Sequence, residues 1–192
     1  GLRFFSASAP ADMLAWRLWL NGATNSILVK KTSVPLPGAS ELAQPAQMLV
    51  VPPYLTAAQY LIGVPGAAGS SVNLNSRQHP VIDLAYGSSA NTNVAGFGYT
   101  TYRVGVPAQQ IAWQMYLPST NGNPNVAVRR NTVPNENNND AYSDQPSATA
   151  DQIMLVPPVL SDGTFYITVY GTNAHHFVLQ SGPAIVTVLP YN

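Results

Sequence analysis

The sequence predicts an all-β protein: two tandem β-sandwich domains, jelly-roll-like, related by internal duplication. Three observations predict it. First, the stretch Ala9-Pro10-Ala11-Asp12-Met13-Leu14-Ala15-Trp16-Arg17-Leu18-Trp19-Leu20 returns as Val106-Pro107-Ala108-Gln109-Gln110-Ile111-Ala112-Trp113-Gln114-Met115-Tyr116-Leu117, with the tryptophans (113 − 16) and the prolines (107 − 10) both 97 residues apart. Second, large apolar residues fall on every other position in short runs, the period of a pleated strand. Third, Pro and Gly clusters interrupt these runs, and no helical stripe of useful length is present.

Taken in order, Leu14, Trp16, Leu18 and Leu20 are expected on one buried strand face, and Ile111, Trp113, Met115 and Leu117 on its twin. Residues 27–35 answer to 126–134 at a spacing of 99 (134 − 35), so two residues entered near 119–125. Gln47-Met48-Leu49-Val50-Val51-Pro52-Pro53 answers to Gln152-Ile153-Met154-Leu155-Val156-Pro157-Pro158 at 105 (157 − 52), which places six more within 135–150. Inserted polar residues between strands belong on surface loops. Residues 59–66 then answer to 164–171, and Val72-Asn73-Leu74 to Phe177-Val178-Leu179, with Ser161-Asp162-Gly163 as a tight-turn signature.

The join is expected in the small-residue stretch 85–93, giving domains 1–88 and 89–192. Val94-Ala95-Gly96-Phe97-Gly98-Tyr99 opens the second unit, whereas the first has almost nothing before Arg3 to match it. Unit one is thus expected to lack an edge that unit two has, left for an upstream repeat or another chain to cover. The start at Gly1, without Met, fits a processed product or a piece of something longer.

Composition narrows the function. Charged residues are 8% of the 192, with eight acids against eight bases, so no broad field steers nucleic acid or an anionic membrane. A weakly charged surface also does little to resist self-association. No apolar run approaches the ~18 residues of a membrane-spanning helix. With no cysteine, disulfides, thiolate metal sites and cysteine nucleophiles are all excluded.

The repeat resembles the bacterial pre-peptidase C-terminal (PPC) domain family. The residues that carry the likeness are the strand ending Val106-Pro107-Ala108, the alternating strand from Trp113 to Leu117, residues 126–134, and Asp162-Gly163-Thr164-Phe165-Tyr166-Ile167-Thr168-Val169-Tyr170-Gly171 followed by Phe177-Val178-Leu179. Unit one matches over 2–76, with Ala57-Ala58 where the family turn carries Asp/Asn-Gly. The resemblance implies β-sandwich modules on exported bacterial proteins, extracellular or at the cell surface, as accessory parts beside secreted hydrolases. Some relatives bind calcium through acids near the domain start. The equivalent stretch here, 87–99, has no acid.

Catalytic constellations are poorly supplied. The histidines are His79, His175 and His176, and no glycine-framed serine elbow accompanies them. Adjacent histidines on an extended chain point to opposite faces, which suits chelation badly. Asp151 and Asp162 are the one plausible carboxylate pair for glycoside hydrolysis, and unit one has alanines at both places. Calcium is the sole cofactor candidate, through Glu136, Asp140 and Asp144 in an Asn-rich loop whose spacing matches no EF-hand. Asn-rich loops are mostly solvated turns.

The more informative feature is aromatic. Trp19, its counterpart Tyr116, and Tyr166 and Tyr170 are expected on outward strand faces, where aromatic rings stack on sugars, anchor a protein partner or lie under loops. Lys30-Lys31 and Arg129-Arg130 read as solvated strand ends. The expected role is a non-catalytic, adhesive or structural repeat module that self-assembles into a surface layer or filament. Its partners are other copies or neighbouring domains of a larger protein, with no nucleic acid and no membrane insertion. The alternative is a polysaccharide-binding or targeting accessory module of a secreted hydrolase.

Overall fold

A computed structural model describes residues 1–21, 25–67, 71–94, 96, 98–118, 122–146, 149–171, 173–185 and 187. The protein is all-β and divides into two compact units, Gly1–Pro80 and Val81–Asn192.

Unit 1 contains β1 (Leu2–Ala9), β2 (Trp16–Leu20), β3 (Ser26–Lys31), β4 (Leu42–Pro45), β5 (Gln47–Val50), β6 (Ala58–Pro65) and β7 (Leu74–Gln78). They form two sheets, β1-β6-β3-β4 and β5-β2-β7. One core joins the sheets, with Trp16, Leu18 and Leu20 of β2 meeting Ile27, Val29, Tyr60, Ile62 and Val64 from the other layer. Alternation makes this possible, because each strand sends every second side chain inward. The Trp16 ring lies 5.3 Å from that of Tyr60. A buried indole needs an acceptor for its N–H, and Trp16 Nε1 donates to Ser76 Oγ at 2.8 Å.

Unit 2 contains β8 (Val81–Asp83), β9 (Ser89–Val94), β10 (Gly98–Val106), β11 (Trp113–Leu117), β12 (Asn125–Arg130), β13 (Ala141–Ser143), β14 (Asp151–Leu155), β15 (Gly163–Gly171) and β16 (His175–Pro183). Its sheets are β13-β12-β15-β10-β8 and β14-β11-β16-β9. Removing β8 and β9 leaves β10-β15-β12-β13 and β14-β11-β16, the strand order of unit 1. The detail repeats too. Trp113 Nε1 donates to Ser181 Oγ at 3.0 Å, the ring meets Phe165 edge-on at 5.3 Å, and the Pro52-Pro53 and Pro157-Pro158 bonds are both cis.

The structure departs from the sequence reading at several points. Leu14 and Ile111 do not share the buried face: they are 39% and 65% exposed, and the strands begin two residues later, at Trp16 and Trp113. The cause is the turn just after Pro10 and Pro107, which in unit 2 includes Gln109 at φ 64. Residues 81–88, expected in the first domain, belong to unit 2, because β8 pairs in parallel with β10 and the Tyr86 ring packs 6.1 Å from Trp113. Within the expected range 135–150, the six-residue insertion falls after Asp140. Glu41 and Asp140 remain 99 apart (140 − 41), and each sends its N–H to a strand carbonyl, Val29 and Val128 respectively.

Unit 2 is wider by one strand on each sheet, and a single stretch, 81–94, supplies both. Among the described residues, β1 is the outermost strand of its sheet in unit 1. The consequence shows at equivalent positions. Thr101 and Tyr102 of β10 are 0% and 3% exposed, whereas Phe4 and Phe5 of β1 are 47% and 36% exposed.

Candidate binding surfaces

An open groove of about 460 Å³ lies on the outer face of the β14-β11-β16-β9 sheet. Its floor is Gln114 and Tyr116 of β11 beside Gln180 and Gly182 of β16. Register sets these neighbours, since Tyr116 pairs with Gln180 and Gln114 with Gly182. Gly87, Ser88 and Ser89 form one wall. Gly182 lies against that wall, at ordinary van der Waals distance from the Gly87 Cα for a Cβ built there (3.4 Å). Gly87, at φ 82, makes the turn leading to β9. Around the groove the same face carries Gln152, Asn91 and His176, whose Nε2 lies 2.6 Å from Asn91 Oδ1. The arrangement is one half-buried ring among neutral hydroxyl and amide groups.

The counterpart Trp19 is occupied differently. Arg17 and Arg77 stand opposite each other in register, and their guanidinium carbons lie 5.0 and 5.3 Å from the Trp19 ring centre. Cation–π contacts of this kind hold the ring on the outer face of β2. The other two aromatics lie on the second sheet of unit 2. Tyr166 is outward in register but only 6% exposed, pairing with Arg103 on one side and Arg129 on the other. Tyr170 stacks on Tyr99 at 6.1 Å, and burial first, with the charge of Glu136 second, pushes its hydroxyl above the usual range. Tyr116 thus lines a groove, Trp19 is held by its two arginines, Tyr166 is buried, and Tyr170 is half-buried against Tyr99.

The acids of the Asn-rich loop are also apart. Glu136 lies beneath Tyr99, whose hydroxyl donates to its Oε1 at 3.3 Å, and burial raises its carboxyl above the ordinary value. Asp140 Oδ2 accepts the Arg130 amide at 2.8 Å, and Asp144 is exposed. Among the described residues no three acidic or histidine side chains gather as a metal site would need. Sequence reasoning missed the role of Asp140. Glu41, at the matching position, accepts the Lys31 amide at 3.0 Å and the Tyr54 hydroxyl at 2.6 Å. Each carboxylate thus closes the loop after a basic pair, and that shared spacing was the available signal.

Asp151 is 2% exposed, its Oδ1 accepting the Gln145 amide at 2.9 Å, while Asp162 sits in an exposed turn, its carbonyl accepting from Arg130 at 2.8 Å. His79 is buried, and that burial, with Arg17 and Arg77 nearby, lowers its pKa to about 4. It is a neutral core histidine at physiological pH. The backbone of His175 pairs with Val94 at the end of β9.

No family model and no curated protein matches the chain. Among solved structures it is similar to the pre-peptidase C-terminal domain of a collagenase from Bacillus anthracis, at 14% identity and a TM-score of 0.46, over 56% of this chain and 99% of that one.

Proposed function

We propose that the chain is a non-catalytic pair of β-sandwich modules from an exported bacterial protein, with an adhesive or structural role through association of its own copies. The observation that carries this is the exposure of β1, the outermost described strand of its sheet, where Phe4 and Phe5 stand 47% and 36% exposed while their counterparts in unit 2 are buried. Unpaired edges bearing aromatic groups recruit further strands. The near-absence of charge removes the repulsion that protects most such edges. Export rests on the resemblance of the repeat to PPC modules. Sedimentation velocity over a range of concentrations, with electron microscopy of the concentrated protein, tests the role. Oligomers that grow with concentration support it, and a strict monomer at high concentration contradicts it.

A second reading is favoured by the groove around Tyr116. Neutral hydroxyl and amide groups beside a half-buried ring suit a polysaccharide, whose hydroxyls exchange hydrogen bonds with amides while a sugar face stacks on the ring. On this reading the chain is an accessory module of a secreted hydrolase. Affinity electrophoresis against a panel of polysaccharides would show retardation lost in Tyr116→Ala. Unretarded migration in every polysaccharide removes the reading.

A further inference from the structure

The outer face of the β5-β2-β7 sheet in unit 1 holds two like charges side by side. Trp16, Leu18 and Leu20 enter the core, so alternation turns Arg17 and Trp19 outward. Arg77 of β7 stands opposite Arg17, while Asn75 of β7 and Gln47 of β5 flank Trp19. Two of the chain's eight basic residues therefore face each other across one strand pair. Like charges placed opposite on neighbouring strands repel. The Trp19 ring, 5.0 and 5.3 Å from the two guanidinium carbons, offsets part of that repulsion. Arg77 is exposed, and no carboxylate among the described residues lies within ion-pair distance of it.

Two amide groups beside the ring are also unfilled. Gln47 Oε1 and Asn75 Nδ2 are buried atoms with no hydrogen-bond partner among the described residues. Gln47 as a whole is only 8% exposed, and a buried polar atom left unpaired is costly. The twin face of unit 2 is built differently. Arg17 and Trp19 answer to Gln114 (114 − 17) and Tyr116 (116 − 19) at the 97 spacing. Ser76 and Ser181, which accept from the two core tryptophans, fix a spacing of 105 (181 − 76), at which Arg77 answers to Gly182 (182 − 77). The strand order is shared, yet both charges are missing from the neutral groove. The fold itself therefore does not require the arginine pair.

We infer that this face of unit 1 binds an acidic polysaccharide, with a hexuronate unit setting its carboxylate on the N–H edge of Arg77 and its hydroxyls on Gln47 Oε1 and Asn75 Nδ2. A planar carboxylate matches the guanidinium fork, and a guanidinium over a ring keeps its donors in its own plane. Arg17, half-buried, holds the indole and adds its charge. A hexuronate carries both chemistries within one residue: hydroxyls that donate and accept, and one carboxylate. The site lies on unit 1 and stands independently of the Tyr116 groove.

Affinity electrophoresis in gels containing polygalacturonate, alginate or hyaluronate, all uronate chains, tests it. The chain should be retarded, and Arg77→Gln should weaken binding about tenfold, as expected for a charge-assisted pair. Asn75→Ala keeps both charges and should weaken it several-fold. Lys30→Gln removes the same charge from the other sheet of unit 1 and should bind as the parent does. Methyl-esterified polygalacturonate keeps the backbone without the charge, and should no longer distinguish the parent from Arg77→Gln. Urea midpoints matching the parent's would show the variants folded. Absence of retardation by all three uronate chains, no loss in Arg77→Gln, or an equal loss in Lys30→Gln overturns the site. Equal retardation by dextran sulfate overturns the carboxylate match, and equal retardation by polyglutamate overturns recognition of a sugar. Tyr116→Ala should leave every one of these results unchanged, so failure here leaves the neutral groove standing.

Discussion

The tryptophan–serine pairs show at single-residue scale how the two units are held. An indole inside a dry core loses its water, and leaving its N–H unpaired costs about 1–3 kcal/mol. Ser181→Ala is therefore expected to destabilise unit 2 by that order, since the Trp113–Ser181 bond is buried. Ser76→Ala should cost unit 1 less, because its bond is only partly buried and water reaches the site. Urea unfolding followed by tryptophan fluorescence would read both. His79 gives a pH prediction whose sign is fixed by its environment. The unfolded chain takes a proton near pH 6.5, which the folded unit refuses until about pH 4. Unit 1 should lose stability as pH falls through that window, by on the order of 3 kcal/mol, and lose no more from this group below it. The difference in urea midpoint between the parent and His79→Gln should carry this slope. A difference that does not vary with pH would show that His79 is not buried neutral.

Between elements, the controlling quantity is how closely layers and edges approach. Gly63 on β6 lies under Pro35, where a Cβ would meet Pro35 Cγ at 3.1 Å and its carbonyl oxygen at 3.2 Å. Gly63→Ala is expected to destabilise unit 1 by about 1–3 kcal/mol through overpacking; a thermal scan with no shift would mean the Pro35 segment moves freely. The corresponding residue in unit 2 is Thr168, buried and bonded to Thr101 at 2.9 Å. One fold position therefore tolerates a side chain in one unit and none in the other. The Asp83–Arg103 contact at 2.6 Å is solvent-exposed, and solvent screens such pairs. Asp83→Ala should leave the melting temperature unchanged, because β8 is held by its ladder to β10.

Across the molecule, what the sequence made legible and what it hid have separate causes. The internal spacings located the strands and the sandwich layers, because period-two alternation and a repeat both survive in a bare string of residues. Strand starts were less legible. Leu14 and Ile111 fit the alternation, but they belong to the turn after the proline, and apolar identity alone does not distinguish a strand's first residue from the one before it. The acids misled for a related reason: Asp140 looks like a cation ligand by composition, while its work is to accept a backbone amide. The groove at Tyr116 was half visible. Its ring was readable on an outward face, but its wall comes from 87–89, brought alongside β16 only by folding.

The central claim is that unit 1 repeats the strand order of unit 2, with β1 outermost among the described residues where β10 has β8 beside it. Residue-resolved hydrogen–deuterium exchange by NMR on dilute protein tests it most directly, by comparing the amides of Ser6 and Arg103. The Arg103 amide, between β15 and β8, should exchange slowly. The Ser6 amide should exchange rapidly in dilute solution and slow as concentration rises. Equal and strong protection of both amides at high dilution would mean that β1 is already covered, and would contradict the account.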